Sequence, residues 1–194
     1  MLDGIDLLVM DVDGVLTDGR IIYDSLGADT KEFNVLDGQA VRYWLRVGHD
    51  AAILSGRSSR TIRRRAAELG VRAVCMDAKD KWPAMQKILK RLRRTPDRAC
   101  YIGDDLVDLP VMAHVGFAVA VAGAAAEVKR IAHFVTRAGG GAGAVRETVE
   151  LILRYQGRWA GVLGRYEDQF PGDLPAARRP RPDPEALEGR REDP

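Results

Sequence analysis

Two cysteines in 194 residues, each inside an apolar stretch (Cys75 in "AVCM", Cys100 in "ACYIG"), exclude a disulfide framework and a zinc site built from four thiolates. That scarcity fits a reducing compartment, so a cytoplasmic location is expected. No apolar run reaches the roughly 18 residues of a membrane span. The N-terminus carries Asp3, Asp6, Asp11 and Asp13 where an export signal would place a basic start and a long apolar core, which predicts a protein that is neither exported nor held in a membrane. A formal net charge of +2 is too small for a general attraction to nucleic acid or anionic lipid, so any anion chemistry is expected to be local. "RRR" at Arg63 to Arg65 and "KRLRR" at Lys90 to Arg94 lack an aromatic stacking platform and read as solvated helix faces, with no nucleic-acid partner. His49, His114 and His133 stand at no ligand spacing, and Trp44, Trp82 and Trp159 read as packing residues.

What the chain does have is apolar material, 46% of it, enough to bury one substantial core. Short apolar runs of strand length recur: "LLVM" before Asp11, "AAIL" before Ser55, "VRAVCM" to Met76, "ACYI" before Gly103, "FAVAV" before Ala122, and "HFVT". Amphipathic stretches lie between or beyond them, roughly Gln39 to Val47, Ser59 to Leu69, Lys81 to Leu92, Leu106 to His114 and Gly143 to Tyr155. Strands alternating with helices predict an α/β domain over residues 1–166 with a mostly parallel central sheet. Ligands in such a sheet gather beyond the carboxyl ends of the strands. One segment breaks the alternation: "GRIIYDSLGADTKEFNVLDG" sets two β-prone runs around a turn and reads as a projecting hairpin flap, about 19–38, with apolar positions available to another subunit. From about residue 167 to 194, prolines and mixed charge predict a disordered tail.

The polar residues at the strand ends are the candidates for chemistry. Asp11 and Asp13 follow the first strand with one residue between them, so both side chains can start toward the same side. Alone, such acids are as readily helix caps or turn formers. A second acidic set, "YIGDDLVD", follows another apolar strand, and two carboxylate clusters in one sheet repel unless a cation neutralises them. Hard oxygen ligands favour Mg²⁺. Between them, "ILSGR" places Ser55 and the amides that follow it where an anion could bind, although a Ser-Gly pair is commonly just a turn. Lys81, at the start of a helix, would ordinarily be a surface charge.

The ordered set "DVDGVLTDG", "LSGR", Lys81 and "GDDLVD" resembles the four motifs of the haloacid dehalogenase superfamily of phosphohydrolases. The resemblance implies a Rossmann-like three-layer fold. It makes Asp11 the nucleophile that forms an aspartyl-phosphate and Asp13 the general acid and base. It gives Ser55, Gly56 and Lys81 to the phosphoryl group, and Asp11, Asp104 and the backbone carbonyl of Asp13 to Mg²⁺, with Asp105 as an outer orienting residue or a further metal contact. The flap is too short for a cap domain, so the chain is similar to the capless group, which completes its site by oligomerising. "FNVLDG", "YIGDDLVDLPVM" and "VTRAGGGAGAVRE" narrow the resemblance to the 3-deoxy-D-manno-octulosonate 8-phosphate phosphatases. That family implies a homotetramer, a phosphorylated sugar-acid substrate and a part in cell-envelope polysaccharide synthesis. Arg57 would then read the sugar-acid carboxylate through its guanidinium fork. The related nonulosonate 9-phosphate phosphatases tend to carry an acidic residue there; they, or a phosphatase for another small phosphorylated metabolite, form the alternative, and a catalytically silent scaffold or nucleic-acid-binding subunit, suggested by the arginine runs, is a remote one. "AGGGAGAVRE" lacks the context of a dinucleotide loop and reads as a flexible loop near the site, followed by a helix.

Overall fold

The computed structural model describes residues 2–25 and 29–167. Six parallel strands form the central sheet in the order β5-β4-β1-β6-β7-β8, with β1 Leu7–Met10, β4 Asp50–Leu54, β5 Ala73–Cys75, β6 Ala99–Gly103, β7 Phe117–Ala120 and β8 Phe134–Val135. All four residues of β1 are buried, as a central parallel strand covered on both faces requires. α1 (Val35–Arg46), α2 (Arg60–Leu69), α6 (Ala144–Tyr155) and α7 (Trp159–Glu167) pack as one layer, while α3 (Lys81–Leu92), α4 (Leu109–Met112) and α5 (Ala126–Ile131) pack as the other. The expected three-layer α/β fold is present. No helix among the described residues is long and apolar enough to cross a membrane.

Register decides where the chemistry collects. Met10 lies beside Ile53 on one side and Ile102 on the other, so the residues that follow these strands emerge at one edge. The strand order also reverses at β1: the chain moves outward through β4 and β5, then crosses to β6 on its other side. A crevice at such a switch point is where an α/β sheet opens to a ligand.

The hairpin forms as an antiparallel pair, β2 (Ile22–Tyr23) and β3 (Asp29–Thr30), with Ile22 opposite Thr30 and Tyr23 opposite Asp29. It ends earlier than expected. Asn34 caps α1 by accepting from the amides of Leu36 at 2.7 Å and Asp37 at 3.4 Å, so "VLDG" belongs to the helix. The helix expected over Leu106 to His114 is likewise broken into a 3-10 turn, Leu106–Asp108, and the short α4. Asp108 turns its side chain back onto the amides of Asp104 and Asp105, and Pro110 brings no amide of its own. α5 has only two large apolar residues, Val128 and Ile131, and α7 carries Gly161 and Gly164, poor helix formers that obscure the spacing of Trp159, Val162 and Leu163. The expectation for the tail falls on residues 168–194, outside the described residues; Glu167 ends α7.

"AGGGAG" is a clamp and not the flexible loop expected. Gly141 donates its amide to Val15 O at 2.9 Å, and Asn34 Nδ2 donates to Gly141 O at 3.1 Å. Buried Asp37 accepts from the amides of Gly143 at 3.2 Å and Arg146 at 2.8 Å, capping α6 from α1. Gly140 lies so close to the loop after β1 that a Cβ there would stand 1.8 Å from Gly14 O. Gly116 is similarly pressed on Asp97 O, at 1.9 Å. Gly140→Ala and Gly116→Ala should each destabilise by about 1–3 kcal/mol, lowering Tm by about 2–4 °C per kcal/mol for a chain of this size. Gly123→Ala, with nothing within 4 Å, should stay within about 0.5 kcal/mol of the parent. Thermal melts of the three variants test the packing, and equal midpoints would contradict it.

Candidate active site

Asp11 leaves β1 with its amide still on the ladder, donating to Ile102 O at 3.1 Å. One carboxylate oxygen, Oδ1, accepts from the Val12 amide at 2.7 Å. The other, Oδ2, lies 2.8 Å from Lys81 Nζ. The loop beyond is stapled by Thr17, whose buried hydroxyl donates to Val12 O at 3.2 Å and accepts from the Gly19 amide at 3.2 Å. Gly14 adopts φ +93°, and a Cβ there would meet Asp104 Oδ2 at 2.0 Å. The glycine after Asp13 is therefore required by its backbone conformation and by the approach of a second carboxylate.

Lys81 is the first residue of α3 and is only 3% exposed. A cation at that end of a helix opposes the helix dipole, and the compensation comes from across the sheet. Nζ lies 2.8 Å from Asp11 and 2.6 Å from Asp108 Oδ1. Asp108, fully buried, also accepts from Tyr101 OH at 2.6 Å and from the amides of Asp104 at 2.9 Å and Asp105 at 3.2 Å. Four donors occupy its two oxygens, so Asp108 orients Lys81 and shapes the turn that carries Asp104. Asp105 is exposed and uses its side chain to cap the 3-10 turn through the Leu106 amide at 2.8 Å.

Asp11, Asp104 and Asp108 each offer an oxygen within 4.8 Å of the others. Asp104 Oδ1 is buried with no hydrogen-bond partner among the described residues. An orphaned carboxylate oxygen beside a second carboxylate fits a hard divalent cation such as Mg²⁺. With Asp108 saturated, Asp11 and Asp104 are the side chains that could hold it. Asp13 brings no carboxylate to this cluster, in keeping with a backbone contribution alone.

Ser55 follows β4, 1% exposed, and its Oγ accepts from the Arg57 amide at 3.1 Å. Gly56 is exposed, and a Cβ there would find only Ala78 O at 3.8 Å. Packing does not require glycine at that position; its effect is to leave the approach beside Ser55 open. Asp77, left-handed at φ +57°, turns the chain after β5 toward Lys81, a conformation that aspartate tolerates better than most residues. Arg57 reaches the flap, where Nη2 lies 3.4 Å from Tyr23 OH. Asp13 also faces the flap: its Oδ1 accepts from Lys31 Nζ. The structure thus brings Asp11, Lys81 and Asp104 into one cluster at the strand ends, with Ser55 emerging beside it, and sets Asp13 and Arg57 against the hairpin.

Charge crowding is visible in proton affinities. Burial pushes the Asp11 carboxyl up to about 6, against the pull of Lys81 and with a further push from Asp108. Burial likewise raises Asp104 to about 7, helped by repulsion from Asp11 and Asp108. Burial works against the Lys81 ammonium, but Asp11 and Asp108 outweigh it and the group titrates above its ordinary range. Because unfolded aspartates ionise near 3.8, the metal-free folded chain binds more protons between about pH 4 and 7, and its stability falls as pH rises through that window. A cation displaces those protons. Mg²⁺ at a hundred times its Kd should stabilise by about 2.7 kcal/mol, and at one fixed Mg²⁺ concentration the gain in Tm should be larger near pH 8 than near pH 5, where protons compete for the carboxylates. Asp104→Asn should abolish the gain. Melting curves with Mg²⁺ and with chelator at both pH values check this, and a pH-independent Mg²⁺ effect would contradict it.

Residues 74–143 match the family model for haloacid dehalogenase-like hydrolases. The chain is 44% identical over 160 residues to the 3-deoxy-D-manno-octulosonate 8-phosphate phosphatase of Yersinia pestis, covering 82% of this chain and 86% of the relative. The Escherichia coli K12 enzyme of that name is 42% identical, with 84% and 87% covered. Among solved structures, the Y. pestis phosphatase superposes with a TM-score of 0.81 at 43% identity over 82% of this chain and 86% of that one. The Moraxella catarrhalis phosphatase, crystallised with a magnesium ion, a phosphate ion and a KDO molecule, superposes with a TM-score of 0.83 at 38% identity over 85% and 95%. With the strand-end carboxylates, the buried lysine and the hairpin in place of a cap, these likenesses make the chain a member of the 3-deoxy-D-manno-octulosonate 8-phosphate phosphatase family of haloacid dehalogenase-like hydrolases.

Proposed function

We propose that the protein hydrolyses 3-deoxy-D-manno-octulosonate 8-phosphate to the free sugar acid and phosphate, acting as a cytoplasmic homotetramer in cell-envelope polysaccharide synthesis. The observation that carries the chemistry is the contact between Asp11 Oδ2 and Lys81 Nζ at 2.8 Å, buried at the sheet edge beside Asp104. It supports a carboxylate nucleophile paired with a cation that also meets phosphoryl oxygens. Identity of 44% to the Y. pestis enzyme supports the substrate. Exposed Ile21, Ile22 and Tyr23 on the flap, with Val35 and Leu36 beyond it, support burial against other subunits.

In the first step, a carboxylate oxygen of Asp11 bonds to phosphorus, the ester P–O bond breaks, and the departing sugar oxygen takes a proton from Asp13. In the second, water gives a proton to Asp13 and bonds to phosphorus, the Asp11 acyl-phosphate bond breaks, and phosphate leaves with Asp11 again a carboxylate. Ser55, the amide of Gly56 and Lys81 hold the phosphoryl oxygens throughout. Asp11, Asp104 and the Asp13 carbonyl would hold Mg²⁺, which when bound would neutralise phosphoryl charge. Arg57 meets the sugar-acid end.

Phosphate release from 3-deoxy-D-manno-octulosonate 8-phosphate, a nonulosonate 9-phosphate and a panel of other sugar phosphates tests the reading, and faster turnover of any other substrate would replace the assignment. Asp11→Asn should lower kcat by roughly 10⁴-fold or more. Arg57→Ala should raise KM by about 10- to 100-fold, the loss of one charged hydrogen-bonding group, with a smaller change in kcat. An unchanged KM would remove Arg57 from substrate recognition.

A further inference from the structure

Lys31 stands just after β3 on the flap, yet its side chain is 1% exposed. Lysine is almost never buried without a paired charge, and here Nζ meets Asp13 Oδ1 and lies 3.3 Å from Asp29 Oδ2. Among the described residues Lys31 is the one ion-pair partner of Asp13. Asp29 itself has both carboxylate oxygens buried without a well-directed hydrogen bond; the approach of Lys31 is a charge contact. Asp29 therefore serves Lys31, and Lys31 serves Asp13.

This strand of the flap is braced from the body of the protein. Thr61 Oγ1, in α2, donates to Asp29 O at 3.3 Å. Arg65, one turn further along α2, donates to Asn34 O at 3.2 Å, and its guanidinium lies 5.5 Å from the centre of the Phe33 ring. The chain from 29 to 34 is thus held at both ends against α2, with Lys31 between the anchors.

We propose that Lys31 is a positioning residue for proton transfer: it fixes one oxygen of Asp13 so that the other faces the ester oxygen. This rests on the acid–base assignment of Asp13 above. Lys31 gives up no proton and forms no bond in either step. The placement makes the flap a part of the catalytic apparatus of its own subunit, whatever it contacts elsewhere.

The test compares an alkyl phosphate that the enzyme turns over with p-nitrophenyl phosphate, whose leaving group departs without a proton donor. Lys31→Met should lower kcat on the alkyl phosphate by about 10²-fold, the lower range for a general acid–base contribution, with KM within about threefold. Single-turnover release of p-nitrophenol should fall by less than about threefold, since that step needs no acid. Lys31→Arg should recover a tenth or more of the lost activity, and Asp29→Asn should show the same leaving-group dependence on a smaller scale. Equal losses on both substrates, a loss residing in KM, or Lys31→Arg no better than Lys31→Met would each overturn the proposal. If Lys31→Met shows no cooperative melting transition, Lys31→Arg and Asp29→Asn decide it by the same comparison. Asp13→Asn separates the two readings: leaving-group dependence in that variant but not in those of Lys31 rejects Lys31 alone, and its absence in Asp13→Asn rejects the role given to Asp13.

Discussion

Parallel pairing of β1 with β4 and β6 delivers the side chains that follow them into one small volume, and most of those side chains are acids. Asp11, Asp104 and Asp108 crowd within 4.8 Å at their nearest oxygens, and burial, with this like charge added to it, raises the proton affinity of Asp11 and Asp104. One buried lysine, Lys81 from the start of α3, answers it by facing Asp11 and Asp108, and a second, Lys31 from the flap, faces Asp13 and Asp29 beside it. Neither lysine is placed for the benefit of its own element. One opposes a helix dipole and the other sits on a short hairpin, so the geometry of each is explained by the acids it faces.

Backbone proximity is the second constraint. Gly14 and Gly140 let the loop after β1, the carboxylate of Asp104 and the glycine-rich segment before α6 come together with no side chain between them. Asp37 ties α1 to the start of α6, and Asn34 ties the end of the flap to Gly141. The loop after β1 is thus held by its own bonds through Thr17 and Val12 and, from outside, by the glycine-rich segment that donates the Gly141 amide to Val15 O.

The strands were legible because a central parallel strand is a short, nearly unbroken apolar run, and the acids were legible because they stand where those runs stop. α1 to α3 and α6 showed in their amphipathic spacing. Asp108 did not stand out: three residues past Asp105, its spacing could equally mark an outward-facing cap, and only the fold turns it inward to four donors. Lys31 was hidden for a similar reason, since a lysine beside a turn is usually solvated and its burial depends on docking the flap against α2. The role of "AGGGAG" could not be read from composition either. Glycine signals flexibility or close approach, and which one applies is decided by what lies opposite.

The strand pairing that closes the site joins Leu7 to Ala99, residues separated by half the chain. Long-range pairs of this kind carry a loop-closure entropy cost that must be met before their contacts stabilise the fold. Asp11, Ser55 and Lys81 precede Ala99 in the chain, whereas Asp104 and Asp108 follow it. During synthesis the first half of the protein therefore leaves the ribosome with Asp11 and Lys81 but without the acids that crowd them. The meeting of Asp11 with Asp104 and Asp108 comes only once β6 has paired with β1.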